Sequence, residues 1–195
     1  MRCANWLRRS LQCAILSMGL SMGCLAYADV WMPPPGLPDL DVEDQDGRPL
    51  RFYRDVLQGR TVLINFMFTA CTTACPAQTA ILRDVRQRWS DSLSPQEEVL
   101  FVSVTVDPIH DGPQQLREYA QRHAIATGLR HGWVFLTGET REIGLLLTAL
   151  NSATARPADH SNFLWIGNEP RQRWTRTAAF NTPQHFTHLL QEIVQ

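Results

Sequence analysis

Two stretches of the chain are apolar almost without interruption, Thr61 to Phe68 (TVLINFMF) and Val99 to Val106 (VLFVSVTV). Neither has a helical period and both have strand length, so each is predicted to be a strand buried on both faces of a sheet. After Pro76 the pattern changes: Ile81, Leu82, Val85 and Trp89 recur at helical spacing with arginines opposite them. That spacing predicts a helix over Ala77 to Trp89, with Pro76 in its first turn. Leu116, Tyr119 and Ala120 mark a second helix over Pro113 to Ala124. The order strand, helix, strand, helix implies a parallel pair joined by a crossover. Further along, Trp133 to Leu136 reads as a short strand, and Glu139 to Leu150 as a helix with Ile143, Leu146, Leu147 and Leu150 inward. Phe163 to Ile166 and Arg173 to Thr175 read as an antiparallel hairpin around Gly167-Asn168-Glu169-Pro170, and a closing helix runs from Pro183 to Val194. The class is α/β, a central mixed sheet flanked by helices.

The first residues follow another rule. Arg2, Arg8 and Arg9 precede an uncharged stretch from Ser10 to Ala28 that ends in Ala26-Tyr27-Ala28. This is the pattern of a secretory signal with a small-x-small cleavage site, so the domain is expected to be exported, to the periplasm or the outer face of the inner membrane. Three fates are open for residues 1–28: removal, retention as a signal anchor, or lipidation at Cys24, which follows Gly23. Any membrane contact runs through that anchor. Residues 29–39 are Pro-rich and read as a linker, which leaves 40–195 as one folded domain.

The 44% hydrophobic content of the 195 residues suffices for one core. A net charge of -1 and the lack of a basic block exclude nucleic acid as a partner. Every positive side chain is Arg, which carries no functional signal. Of the five cysteines, Cys3, Cys13 and Cys24 fall in the signal, so only Cys71 and Cys75 remain in the domain. One close pair does not staple a chain of this size; it points to chemistry.

Cys71 and Cys75 lie between a predicted buried strand and a helix N-terminus, where unpaired amides and the positive end of the helix dipole favour thiolate. Four positions apart on a helical turn, the sulfurs can converge on one another or on a metal, and both are expected to be reactive. Two thiolates with one imidazole suit copper(I) or zinc, so a His is required as third partner. His160 directly precedes the predicted strand Phe163 to Ile166 and could face the cysteine turn. His110, His123, His131, His185 and His188 read as surface or capping residues. Asp107 and Asp111 flank a turn at a strand end, and there they read as backbone caps, Asp111 for the helix beginning near Pro113.

Phe66-Met-Phe-Thr-Ala-Cys71-Thr-Thr-Ala-Cys75-Pro76 resembles the FxFTxCxxxCP signature of the Sco/SenC family of copper-binding, thioredoxin-like proteins. Ser103-Val-Thr-Val-Asp107-Pro108-Ile-His-Asp111-Gly-Pro113 is similar to that family's SVDPxxDTP, Trp133-Val-Phe-Leu-Thr-Gly to its WxxLTG, and Asp159-His160-Ser161 to its DH[ST]. These matches span most of Leu40 to Val194. The resemblance implies a thioredoxin-like fold and one copper ion held by Cys71, Cys75 and His160, as copper(I) with copper(II) left open. It also implies a metallochaperone for the dinuclear copper site of cytochrome c oxidase, whose partner is the copper-bearing subunit or another copper chaperone. Thr72 stands where the family often has Pro, and Thr73 where it has an acidic or hydroxyl residue, so the contribution of an acidic neighbour is absent. The stretch Leu150 to Asp159 looks shorter than the family's and lacks its tyrosines.

Two enzyme readings compete with metal binding. Cys71 and Cys75 could form the redox pair of a thiol-disulfide oxidoreductase, although such folds commonly carry Cys-x-x-Cys and this pair has three residues between. A peroxidase of the peroxiredoxin kind resembles PxxxTxxC at its cysteine, and here Thr69 stands two places before Cys71 with no Pro at the motif's position upstream of it.

Overall fold

The computed structural model describes residues 32, 35–92 and 98–195. The signal reading of residues 1–28 lies outside them, as does part of the Pro-rich stretch. The first central strand, β3 (Thr61–Met67), follows an antiparallel pair, β1 (Asp41–Asp44) and β2 (Pro49–Arg51), and a wide helical turn over Phe52–Leu57. Then come α1 (Ala74–Ser90), β4 (Val99–Thr105), α2 (Pro113–Arg122), β5 (Trp133–Thr137), α3 (Thr140–Ala149), β6 (Phe163–Asn168), β7 (Arg173–Ala178) and α4 (Pro183–Ile193). The seven strands form one sheet in the order β2-β1-β5-β4-β3-β6-β7. β3, β4 and β5 are parallel, and β6 returns antiparallel against β3. The mixed sheet predicted from the hydrophobic pattern is thus the one observed.

Every residue of β3 and of β4 is buried, as strands covered on both faces require. Alternation sends successive side chains to opposite layers. Leu63 and Met67 join Leu82 and Val85 of α1, Tyr119 of α2 and Phe186 of α4 in one core cluster. Val62, Ile64 and Phe66 join Val56 of the wide turn and Ile143 and Leu146 of α3 in the other. Met32 and Leu37 pack against this second cluster, and the Asp39 carboxylate holds Arg54 at 2.7 Å and Arg51 at 3.3 Å.

Polar residues in the middle of the central strands have partners. Asn65 donates to Gln78 Oε1 of α1 (2.9 Å) and accepts from the Ser103 hydroxyl (2.8 Å), which in turn accepts from Trp133 Nε1 (3.0 Å). This chain ties α1, one turn beyond Cys75, to three adjacent strands. A buried polar group without such partners would cost about 1–3 kcal/mol.

Gly167 of β6 faces Trp174 of β7 across the hairpin, and a Cβ there would lie 2.3 Å from the indole. Gly167→Ala is therefore expected to destabilise the domain by about 1–3 kcal/mol through overpacking. Urea unfolding measures this, and an unchanged midpoint would mean that the ring moves aside freely.

Candidate metal centre

The sheet brings the site together at one edge. β3 points its C-terminal end there, and Val106 N donates to Met67 O (2.8 Å), continuing the parallel ladder one step past the end of β4. Phe68, Thr69 and Ala70 then carry the chain to Cys71, whose amide donates back to Phe68 O (3.2 Å). α1 begins at Ala74, earlier than the hydrophobic spacing indicated, so Cys75 lies inside its first turn. No side-chain oxygen caps this helix. Instead Cys75 N donates to Cys71 Sγ at 3.2 Å, so a sulfur stands where a Ser or Asp oxygen usually satisfies a helix-terminal amide.

The two sulfurs have different environments. Burial would raise the Cys71 thiol, but hydrogen bonds from the Cys75 thiol and from the amides of Cys75, Thr73 and Ala74 outweigh it and hold Cys71 below the ordinary cysteine value. Cys75 is only 2% exposed. Burial above all, then its hydrogen bond to Cys71 and the nearby charges of Cys71 and Asp111, push it up to about 12. The sequence led to two reactive sulfurs; the structure makes Cys71 the reactive one, because only it combines access with the helix-end amides. Both cysteines are free thiols.

His160 follows a short helical turn over Pro157–Asp159 and precedes β6, whose antiparallel pairing with β3 sets its start at the cysteine edge. The ring is half-buried and meets Phe68 edge-on, with centroids 6.1 Å apart. Phe68 also packs against the core cluster that holds Cys75. Burial keeps the imidazole below its usual value, against a smaller opposing effect of the Ser161 carbonyl. Nδ1 lies 3.2 Å from that carbonyl, which can only accept, so Nδ1 carries the proton and Nε2 keeps a free lone pair. His160 thus shares the edge with the cysteines, yet among the described residues no three His, Cys, Asp or Glu side chains converge closely enough to hold a metal ion.

Among the other histidines, His110 pairs with Asp107 (2.9 Å), His188 with Glu192 (3.6 Å), His123 lies against Tyr119, and His185 contacts Thr177. Asp111 differs from its reading as a helix cap. The N-terminal residue of α2 is preceded by Gly112 at the cap position, with no side-chain cap, and the Asp111 carboxylate turns inward to Thr69 and Thr105. A Thr hydroxyl at the end of β4 and another in the loop after β3 were the signal for this arrangement, but spacing alone did not bring them together.

The SCO1/SenC family model matches residues 38–193. A relative from Stutzerimonas stutzeri, named for copper binding, is 31% identical over 170 residues, covering 80% of this chain and 78% of its own. The crystal structure of yeast Sco1 with copper bound aligns at a TM-score of 0.66 and 20% identity, over 83% of this chain and 93% of that one. BsSco, described as having a disulfide switch and as a member of the Sco family of cytochrome c oxidase assembly proteins, aligns at 0.65 and 23% identity, over 84% and 97%. The thioredoxin-like α/β fold implied by the sequence is borne out by these alignments.

From the asymmetry of the sulfurs, iodoacetamide is expected to modify Cys71 in the folded protein near neutral pH and Cys75 only on unfolding, as peptide mapping would read. A neutral Cys75 stabilises the fold in full below the unfolded cysteine value, and this contribution is lost as pH rises from there towards about 12. Cys75→Ser, whose hydroxyl does not titrate in that range, should make the alkaline loss of stability in the reduced protein shallower.

Proposed function

This chain belongs to the SCO1/SenC family, and from that premise we propose that it is an exported copper(I) metallochaperone that serves assembly of the dinuclear copper site of cytochrome c oxidase. Its partner in this reading is the oxidase's copper-bearing subunit or another copper chaperone, met on the outer face of the inner membrane. The observation that carries the proposal is the Cys71 sulfur held by the amides at the start of α1, with Cys75 behind it and His160 on the same edge. The donor set suits the ion: copper(I) is soft, and two thiolates with a neutral imidazole match it in type and number. Copper(I) is the cargo, and its binding displaces the Cys75 proton that burial otherwise retains. His160, with Nε2 free, completes the set by closing past Phe68 onto the pair. Release proceeds by ligand exchange, one thiolate leaving as a partner's ligand enters. Oxidation of Cys71 and Cys75 to a disulfide removes two of the three ligands, so copper loading and the disulfide exclude each other.

The same asymmetry favours a second reading, thiol-disulfide exchange. An accessible thiolate at Cys71 attacks a partner disulfide and releases one partner thiol. Cys75 then loses its proton, attacks Cys71 Sγ and frees the second, leaving the partner reduced and this pair oxidised. The two readings make different demands on His160, which thiol exchange does not use.

An anaerobic copper(I) titration against a chromogenic competitor separates them. The reduced full chain is used with Cys3, Cys13 and Cys24 replaced by Ser, beside His160→Ala and Cys71→Ser in the same background. One tight equivalent is expected, weakened by at least about tenfold in each variant. Weak binding that is indifferent to His160 would move the assignment to thiol-disulfide exchange.

A further inference from the structure

Two carboxylates are buried among the described residues, Asp44 and Asp111. Asp44 is accounted for by its turn, since its Oδ1 accepts the amides of Asp46 (2.8 Å) and Arg48 (3.0 Å) between β1 and β2. Asp111, 1% exposed, has no such local use. Its Oδ2 accepts the Thr69 amide (3.0 Å) and the Thr105 hydroxyl (2.6 Å), and its Oδ1 accepts the Thr69 hydroxyl (2.5 Å). Thr105 Oγ1 in turn accepts the Asp107 amide (2.9 Å), and the Asp111 amide donates to Asp107 O (2.9 Å). No cation pairs with this carboxylate among the described residues; all its donors are neutral.

An ionised carboxylate taken from water is costly unless hydrogen bonds replace the water. Every donor that does so here belongs to one of two places: Thr105 at the end of β4, or Thr69 in the loop that enters the cysteine turn. The group therefore ties that loop to the central sheet two residues before Cys71. We propose that Asp111 is a positioning residue for Cys71, fixing Thr69 so that the Cys71 sulfur stays over the amides at the start of α1. This rests on Cys71 and Cys75 being the working pair, whichever of copper transfer or thiol exchange they perform. A loosened entry loop would let Cys71 leave both its amide donors and its partner sulfur. The disulfide would then form less readily, and two-thiolate ligation would weaken.

The test uses the full chain with Cys3, Cys13 and Cys24 replaced by Ser, carrying Asp111→Asn, Thr69→Val or Asp44→Asn. Each is equilibrated in glutathione buffers, where protein disulfide and two glutathione thiols exchange with protein dithiol and oxidised glutathione. Alkylation mass shifts read the ratio, and copper(I) retention is measured beside it. Asp111→Asn and Thr69→Val are each expected to move the ratio towards dithiol by about tenfold at fixed buffer, with copper held less tightly. Asp44→Asn, which also removes a buried carboxylate but at a turn between β1 and β2, should leave the ratio within about twofold even if it lowers thermal stability. An unchanged ratio in folded Asp111→Asn and Thr69→Val, or an equal change in Asp44→Asn, overturns the proposal. Should Asp111→Asn not fold, Thr69→Val decides alone, because it keeps the carboxylate and the Thr105 hydroxyl. Should the parent bind no copper, the chaperone reading fails while the glutathione ratio still judges Asp111.

Discussion

The parallel register of β3 against β4 is the constraint on which the rest of the structure depends. Met67 stands opposite Thr105, so the two strands end together and release their loops at the same edge of the sheet. A slip by one residue would turn every side chain of a strand to the other face. Here it would also part Asn65 from Ser103 and Gln78, leaving polar groups buried without partners. Apolar packing on both faces makes the strands central, and the polar chain between them fixes which alignment they take. Thr69 and Asp111 meet only because that alignment holds.

At that edge, two sulfurs of the same chemical type take different roles. α1 begins with Cys71 Sγ as acceptor for its first-turn amide, and the unpaired amides around it favour negative charge. One turn deeper, Cys75 belongs to the hydrophobic core, where the charged form is penalised. The pair is thus unequal, with one thiol held below the ordinary cysteine value and the other pushed well above it. Asp111 adds a negative charge within reach of Cys75, so the group that ties down the loop also opposes a second free thiolate. His160, brought to the same edge by β6, rests against Phe68 rather than on the cysteines.

Much of this was legible in the sequence because it is local. Uninterrupted apolar runs of strand length gave β3 and β4, the helical spacing of Ile143, Leu146, Leu147 and Leu150 gave the buried face of α3, and four-residue spacing placed Cys71 and Cys75 at one helix start. Motif resemblance supplied the family and, with it, the expectation for His160. Non-local facts were out of reach of periodicity and spacing. The start of α1 at Ala74 depends on a sulfur serving as cap, and the inward turn of Asp111 depends on Thr69, forty-two positions away along the chain. By itself the sequence determined the central strands, the main helices and the chemical types at the site, since those follow from the period and nature of neighbouring side chains. Only the tertiary structure decided which sulfur is exposed and which carboxylate is buried, because burial and hydrogen-bond partners are set by what the rest of the chain packs against each group.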